Sequence, residues 1–229
     1  MIEYGQFCPI AKASEVLGER WTNLVVRELG AGSESFNDLR RGLPLMSPSL
    51  LSTRLKSLEA AGVVARTETK HKVRYTLTEA GRELKPILLA LGTWGQRWAS
   101  TKFNPEDLDP SMLMWDIHRT MKADYFGAER TVLLFEFQDY TSKFRRWWLV
   151  IEKGEADVCM KDPGHEVDLH VTTDVETLTR IWLGNLSYSK AIGSKLLLMS
   201  GPGWLKKDIR LWLGTNYFAS VKPVVDKNG

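Results

Sequence analysis

The segment from Ser47 to Thr78 constrains this chain more than any other. Ser47 followed by Pro48 is a strong helix start, with serine as the cap and proline at the first helical position. Leu51, Leu55 and Leu58 then recur at steps of four and three, on one helical face, and Gly62 ends the run. Two stretches rich in Val, Thr and Tyr, residues 63–69 and 73–78, flank Lys70-His71-Lys72 and predict a two-stranded hairpin with a basic tip. A leucine-anchored helix feeding such a hairpin needs other helices to cover its apolar face.

The neighbouring residues supply them. Residues 9–18 predict a helix opened by Pro9 and closed near Gly18, and residues 21–30 continue with apolar positions at helical steps as far as Gly30. A short helix from Phe36 to Arg41 follows the Ser33-Glu34-Ser35 turn and stops at Gly42. Thr78 to Ala99 reads as one long helix with Leu84, Leu88, Leu91, Trp94 and Trp98 along a stripe. Helix, short helix, proline-started helix and basic hairpin is the order of a winged helix-turn-helix, a fold that places one helix in a DNA groove.

The residue chemistry agrees with that order. Opposite the leucines, the helix after Ser47 carries Ser49, Ser52, Thr53 and Lys56, with Arg54 beside them; such groups approach base edges and phosphates. Its unpaired N-terminal N–H groups favour a phosphate. Asn37, Arg40 and Arg41 precede the turn and are placed to clamp the neighbouring backbone, while Lys70, His71, Lys72 and Arg74 reach for a minor groove or ride the phosphates. Residues 1–103 hold 15 Lys/Arg against 10 Asp/Glu, a net of +5, whereas residues 104–229 hold 16 against 18, a net of −2. The basic half suits a polyanionic partner, double-stranded DNA.

Several motifs in register, Cys8-Pro9-Ile10, Gly18-Glu19-Arg20-Trp21, Phe36-Asn37-Asp38-Leu39-Arg40, Ser47 through Leu55, Leu58 through Val63 and Tyr75 through Gly81, resemble the HxlR-type family of bacterial regulators across roughly residues 7–100. The resemblance implies a homodimer joined through its N- and C-terminal helices, each recognition helix in one operator half-site. Two departures stand out: Ser49 occupies a place where family members often carry a basic residue, and Lys70-His71-Lys72 replaces a proline-containing wing tip. The family's operator is therefore not transferable. Cys8 is a candidate redox sensor by the same resemblance, with a small packing residue at a dimer interface as the alternative.

Phe103 to Pro110 holds two prolines and three acids and reads as a linker, dividing a domain at 1–103 from one at 111–229. The second predicts an α+β domain: a helix from Pro110 towards Met121, strands at 130–138, 144–152, 155–161 and 166–172 as antiparallel neighbours, and a helix through Leu178 to Gly184 with Thr173 and Glu176 as a capping box. A short helix near 187–193, a strand at 195–199 and a helix from Pro202 to Gly214 complete it. The segments Val167–Asp174, Leu178–Gly184 and Ala191–Pro202 resemble a sterol-carrier-protein-type domain, which implies a sheet with helices over one face enclosing a tunnel for a hydrophobic small molecule, here an effector; the alternative is a lipid carrier or partner-docking module without an effector role. Trp115, Phe135, Phe137, Trp147, Trp148 and Trp182 are the candidate ligand-binding rings, or simply core.

Other classes are disfavoured. No nucleophile elbow, phosphate loop or metal spacing occurs, so neither an enzyme nor a cofactor or metal is expected; His165, Glu166, Asp168 and His170 read as a solvated strand. Two cysteines make no disulfide framework, and no apolar run approaches the ~20 residues of a membrane span. A cytoplasmic protein without a membrane partner is expected.

Overall fold

The computed structural model describes residues 3–70, 72–99, 103–141 and 143–224. The chain forms two compact units, one reaching Gly92 and the other beginning at Thr93.

In the first unit, α1 (Pro9–Leu17), α2 (Thr22–Gly30), α3 (Phe36–Gly42) and α4 (Pro48–Ala60) precede β1 (Val64–Glu68) and β2 (Val73–Leu77). Helix α5 (Glu79–Trp98) follows and carries the chain from the first unit into the second. The strands pair antiparallel, Val64 opposite Leu77 and Glu68 opposite Val73. Val25, Val26, Leu29, Leu39, Leu51, Leu55 and Leu58 make the core, against which Leu84 and Leu88 pack. Side-chain caps set the boundaries: Ser35 Oγ accepts from Asp38 N at 3.1 Å and Ser47 Oγ from Leu50 N at 3.3 Å. Thr78 Oγ1 accepts from Gly81 N at 3.1 Å while donating to Gly62 O at 2.6 Å, tying the start of α5 to the end of α4. A Cβ at Gly81 would collide with the Val63 carbonyl oxygen, so glycine there lets α5 lie against the hairpin base.

The second unit opens with α6 (Pro110–Thr120), whose cap Asp109 accepts from Ser111 N and Met112 N at 2.7 and 3.1 Å. Strands β3 (Thr131–Phe137), β4 (Arg146–Glu152), β5 (Glu155–Cys159), β6 (Leu169–Thr173) and β7 (Leu198–Ser200) form one sheet in the order β5-β4-β3-β6-β7. Helices α7 (Val175–Trp182), α8 (Tyr188–Gly193), α9 (Gly203–Lys207) and α10 (Ile209–Trp212) join α6 over one sheet face. That face buries Leu133, Phe135 and Phe137 of β3 with Trp147, Leu149 and Ile151 of β4. Within this unit the last turns of α5 are held by Gln96 Nε2 donating to Leu183 O at 3.3 Å and Val224 N donating to Arg97 O at 2.8 Å.

Four expectations need correction. The sheet is mixed, because residues 160–168 carry the chain past β4 and β3 and lay β6 parallel to β3. The cap of α7 is Asp174, whose carboxylate accepts from Thr177 N at 2.6 Å, while the Thr173 hydroxyl turns to Leu196 O at 2.9 Å. Strand β7 starts at Leu198 rather than at 195, because Lys195 takes a left-handed φ of 58° and Leu196 N and Leu197 N still bond to Ala191 O. The last helix is two, separated at Asp208, whose carboxylate accepts from Tyr125 Oη at 2.8 Å.

Candidate nucleic-acid interface

Helix α4 is amphipathic by construction. Leu51, Leu55 and Leu58 are buried, and Ser47, Ser49, Thr53 and Lys56 are exposed with Ser52 half-buried. Hydroxyls ring its outer face: Ser47 Oγ and Ser49 Oγ lie 3.2 Å apart, Thr53 Oγ1 donates to Ser49 O at 3.0 Å and Ser57 Oγ to Thr53 O at 3.1 Å. A hydroxyl bonded back to its own helix keeps lone pairs free and rotates towards a base edge or phosphate on demand. The first-turn N–H groups and Lys56 give this face positive potential.

Asn37, Arg40 and Arg41 on α3 are exposed, as are Lys70, Lys72 and Arg74 at and beside the hairpin tip; His71 lies outside the described residues. Arg74 Nη1 is paired with Glu34 Oε2 at 3.2 Å, both half-exposed, so that it reaches a phosphate only by exchanging partners. Arg54 is placed differently from its helix neighbours. Its side chain is 16% exposed, its guanidinium pairs with the Glu19 carboxylate, and its Nε donates to Arg20 O at 3.1 Å. It fastens α4 to the turn between α1 and α2, where Trp21 adopts a left-handed φ of 76° and the Arg20 guanidinium lies 5.5 Å from the Trp21 ring centre.

The sequence did not point to a second anchor. Glu28 is fully buried; Arg27 Nη2 donates to its Oε1 at 2.6 Å and Ser33 Oγ to its Oε2 at 3.2 Å. A Cβ at Gly42 would collide with that carboxylate, so the turn leaving α3 closes directly over a paired buried charge. Removing one partner of such a pair costs about 3–5 kcal/mol. A charged residue at a core-facing step between Val25, Val26 and Leu29 was the available signal. Cys8 is half-buried at the cap position of α1, its carbonyl accepting from Lys12 N at 3.0 Å.

In the second unit, Trp115, Phe135, Phe137, Trp147, Trp148 and Trp182 are all buried. Phe135, Phe137, Trp147 and Trp182 pack in the helix-covered core, while Trp148 joins Val132 and Leu134 on the opposite sheet face. A surface pocket of about 160 Å³ is lined by Leu108, Pro110, Tyr140 and Phe144 with Glu106 and Asp109, and includes none of the six rings. Buried Glu136 binds Arg145 and Arg146 on β3's helix-free side. Burial pushes its carboxyl up, but the hydrogen bond from Arg145 and the charges of Arg146 and Arg145 prevail and hold it below the usual carboxylate range. Asp168 Oδ2 accepts from Val132 N at 2.8 Å and His170 Nε2 lies 3.2 Å from Glu136 Oε2. No helix among the described residues is long and apolar enough to cross a membrane.

Comparison with known proteins places the first unit. The family described as HxlR-like helix-turn-helix matches residues 16–103. The HTH-type transcriptional regulator YvaP of Bacillus subtilis is 39% identical over 102 residues, 43% of this chain and 94% of that relative. YodB of the same organism, also named an HTH-type transcriptional regulator, is 35% identical over 95 residues, 40% of this chain and 85% of that one. A solved structure of YodB in its reduced form shows 29% identity and a TM-score of 0.38, covering 43% of this chain and all of that chain. Both relatives are named as transcriptional regulators, not as enzymes. Through its first hundred residues, this chain belongs to the HxlR-like helix-turn-helix family.

Proposed function

We propose that this chain is a DNA-binding transcriptional regulator that engages a two-fold operator as a homodimer. The observation that carries the reading is α4: its leucine face is locked in the core, its hydroxyl- and lysine-bearing face stands exposed, and Lys70 and Lys72 of the hairpin in the same unit are exposed too. Seated in the major groove, α4 would bring Ser49, Ser52 and Thr53 to base edges. Arg40, Arg41, Lys56, Lys70 and Lys72 would hold the phosphates. Arg54 acts from behind, keeping α4 at a fixed inclination. Selection of bound duplexes from a random library tests this directly. It should enrich an inverted repeat whose half-sites are about one helical turn apart or a multiple of it. A library that yields no common sequence, or a single unrepeated half-site, overturns the reading.

For the second unit, the proposal is a binding module for a hydrophobic effector, as the sterol-carrier resemblance implies. Helices over one face of a five-stranded sheet favour it, as does the buried Trp182 indole N–H, which has no acceptor among the described residues. An effector has to favour one arrangement of the dimer over another to change DNA affinity. Operator affinity of the protein as purified should therefore differ from that of protein stripped of bound small molecules; equal affinities remove the effector role.

A further inference from the structure

We propose that the helix-free face of the second unit's sheet carries an anion site, built on Arg145 and Arg146, for a carboxylate borne on an apolar body. Glu136 anchors it. Its Oε1 accepts from Arg145 Nε at 2.9 Å and from Arg146 Nε at 3.3 Å, and its Oε2 lies 3.2 Å from His170 Nε2. Each guanidinium is thus held through Nε, and its two Nη groups make no other hydrogen bond among the described residues. The side chains of Arg145 and Arg146 are 45% and 56% exposed. The Nη edge of an arginine presents two parallel donors that match a carboxylate. Holding two such edges in place beforehand lowers the ordering cost of binding. One buried carboxylate against two guanidiniums leaves the cluster with a net positive charge.

The register supplies the apolar part. Across the sheet from Arg146 the same row runs Glu136, Thr172 and Leu198. Phe135, Phe137, Val171 and Met199 point to the helix-covered core, so these alternate residues point the other way. Leu198 is half-exposed and stands two strand spacings from Glu136, about 9–10 Å. A ligand with its carboxylate on the guanidiniums would lay its body over Thr172 towards Leu198. This face lies opposite the helix-covered core assigned above to a hydrophobic effector, so the two proposals fail separately.

Titration of the full chain with octanoate at neutral pH, followed by calorimetry, tests the site, with acetate and inorganic phosphate as separate arms. Octanoate should bind once per chain, and acetate and phosphate at least about tenfold more weakly. Arg146→Gln should weaken octanoate at least about tenfold, the usual loss for a charge-assisted hydrogen bond. It leaves Arg145 paired with Glu136, and Leu198→Asp, at an exposed position, should repel the ligand with both arginines intact. Three results overturn the site: no saturable octanoate binding, acetate as tight as octanoate, or octanoate binding that neither variant changes. The last would place the fatty chain under the helices.

Discussion

Arg54 shows how residue type and residue role separate. On charge alone it groups with Lys56 as a DNA contact, yet Glu19 and the Arg20 carbonyl hold it on the protein side of α4. Its position hinted at this: three residues after Leu51 and four before Leu58, it stands on the flank of the buried stripe rather than with Ser49, Ser52, Thr53 and Lys56. What the sequence hides is that a turn thirty-odd residues earlier comes alongside. That turn contains Trp21 at φ 76°, a conformation costing of order 1–3 kcal/mol and kept only when its surroundings enforce it. Glu19→Gln separates the two roles by sign. Freeing a phosphate ligand from its competing carboxylate would raise DNA affinity. Loosening a positioning contact should lower it by about 1 kcal/mol, roughly fivefold, together with the thermal midpoint. Fluorescence anisotropy on one duplex, at a temperature where both proteins are folded, decides; a tighter variant would reassign Arg54 to the DNA.

At the scale of elements, those with local chemistry at both ends were legible. Ser47-Pro48 and Gly62 bracket α4, Ser35 and Gly42 bracket α3, and the hairpin follows from two β-branched runs about a basic turn. In the second unit, elements whose bounds depend on distant partners were read less well. No local pattern tells that β6 runs parallel to β3, or that Trp212 Nε1 donates to Leu205 O at 2.8 Å across the break between α9 and α10. The candidate recognition face was legible because it is the complement of a leucine stripe; the Glu19 anchor was not, because its partner Arg54 comes from a distant helix and leaves no periodic trace, and the Glu28 anchor, held by Arg27 and Ser33, left only a charge at a core-facing step. Helix α5 carries a prediction of its own. Leu84 and Leu88 turn inward, while Ile87, Leu91, Trp94 and Trp98, at steps of four, three and four, are 54%, 51%, 59% and 55% exposed. We assign this row of four exposed apolar side chains to the dimer proposed above, because such rows favour an interface over water. Leu91→Glu combined with Trp94→Glu should convert the protein to the mass of one chain by light scattering. A dimer that survives both would put the interface elsewhere.

As a whole molecule, the chain joins a basic helix-turn-helix unit to an α+β unit of balanced charge. The family match ends at residue 103, and the matched relatives cover well under half of the chain. Regulation by the second unit therefore stands or falls on its own tests, whereas DNA recognition rests on the first unit. The most direct test of that central claim is duplex affinity after reversing the charges at Lys56, Lys70 and Lys72 together, none of which is in the core or in an ion pair among the described residues. If each holds one phosphate, the triple variant should bind DNA at least about a hundredfold more weakly at moderate salt, and the slope of log affinity against log salt should become shallower by roughly three. Unchanged affinity and slope in a variant with unchanged circular dichroism would mean that α4 and the hairpin do not face the DNA.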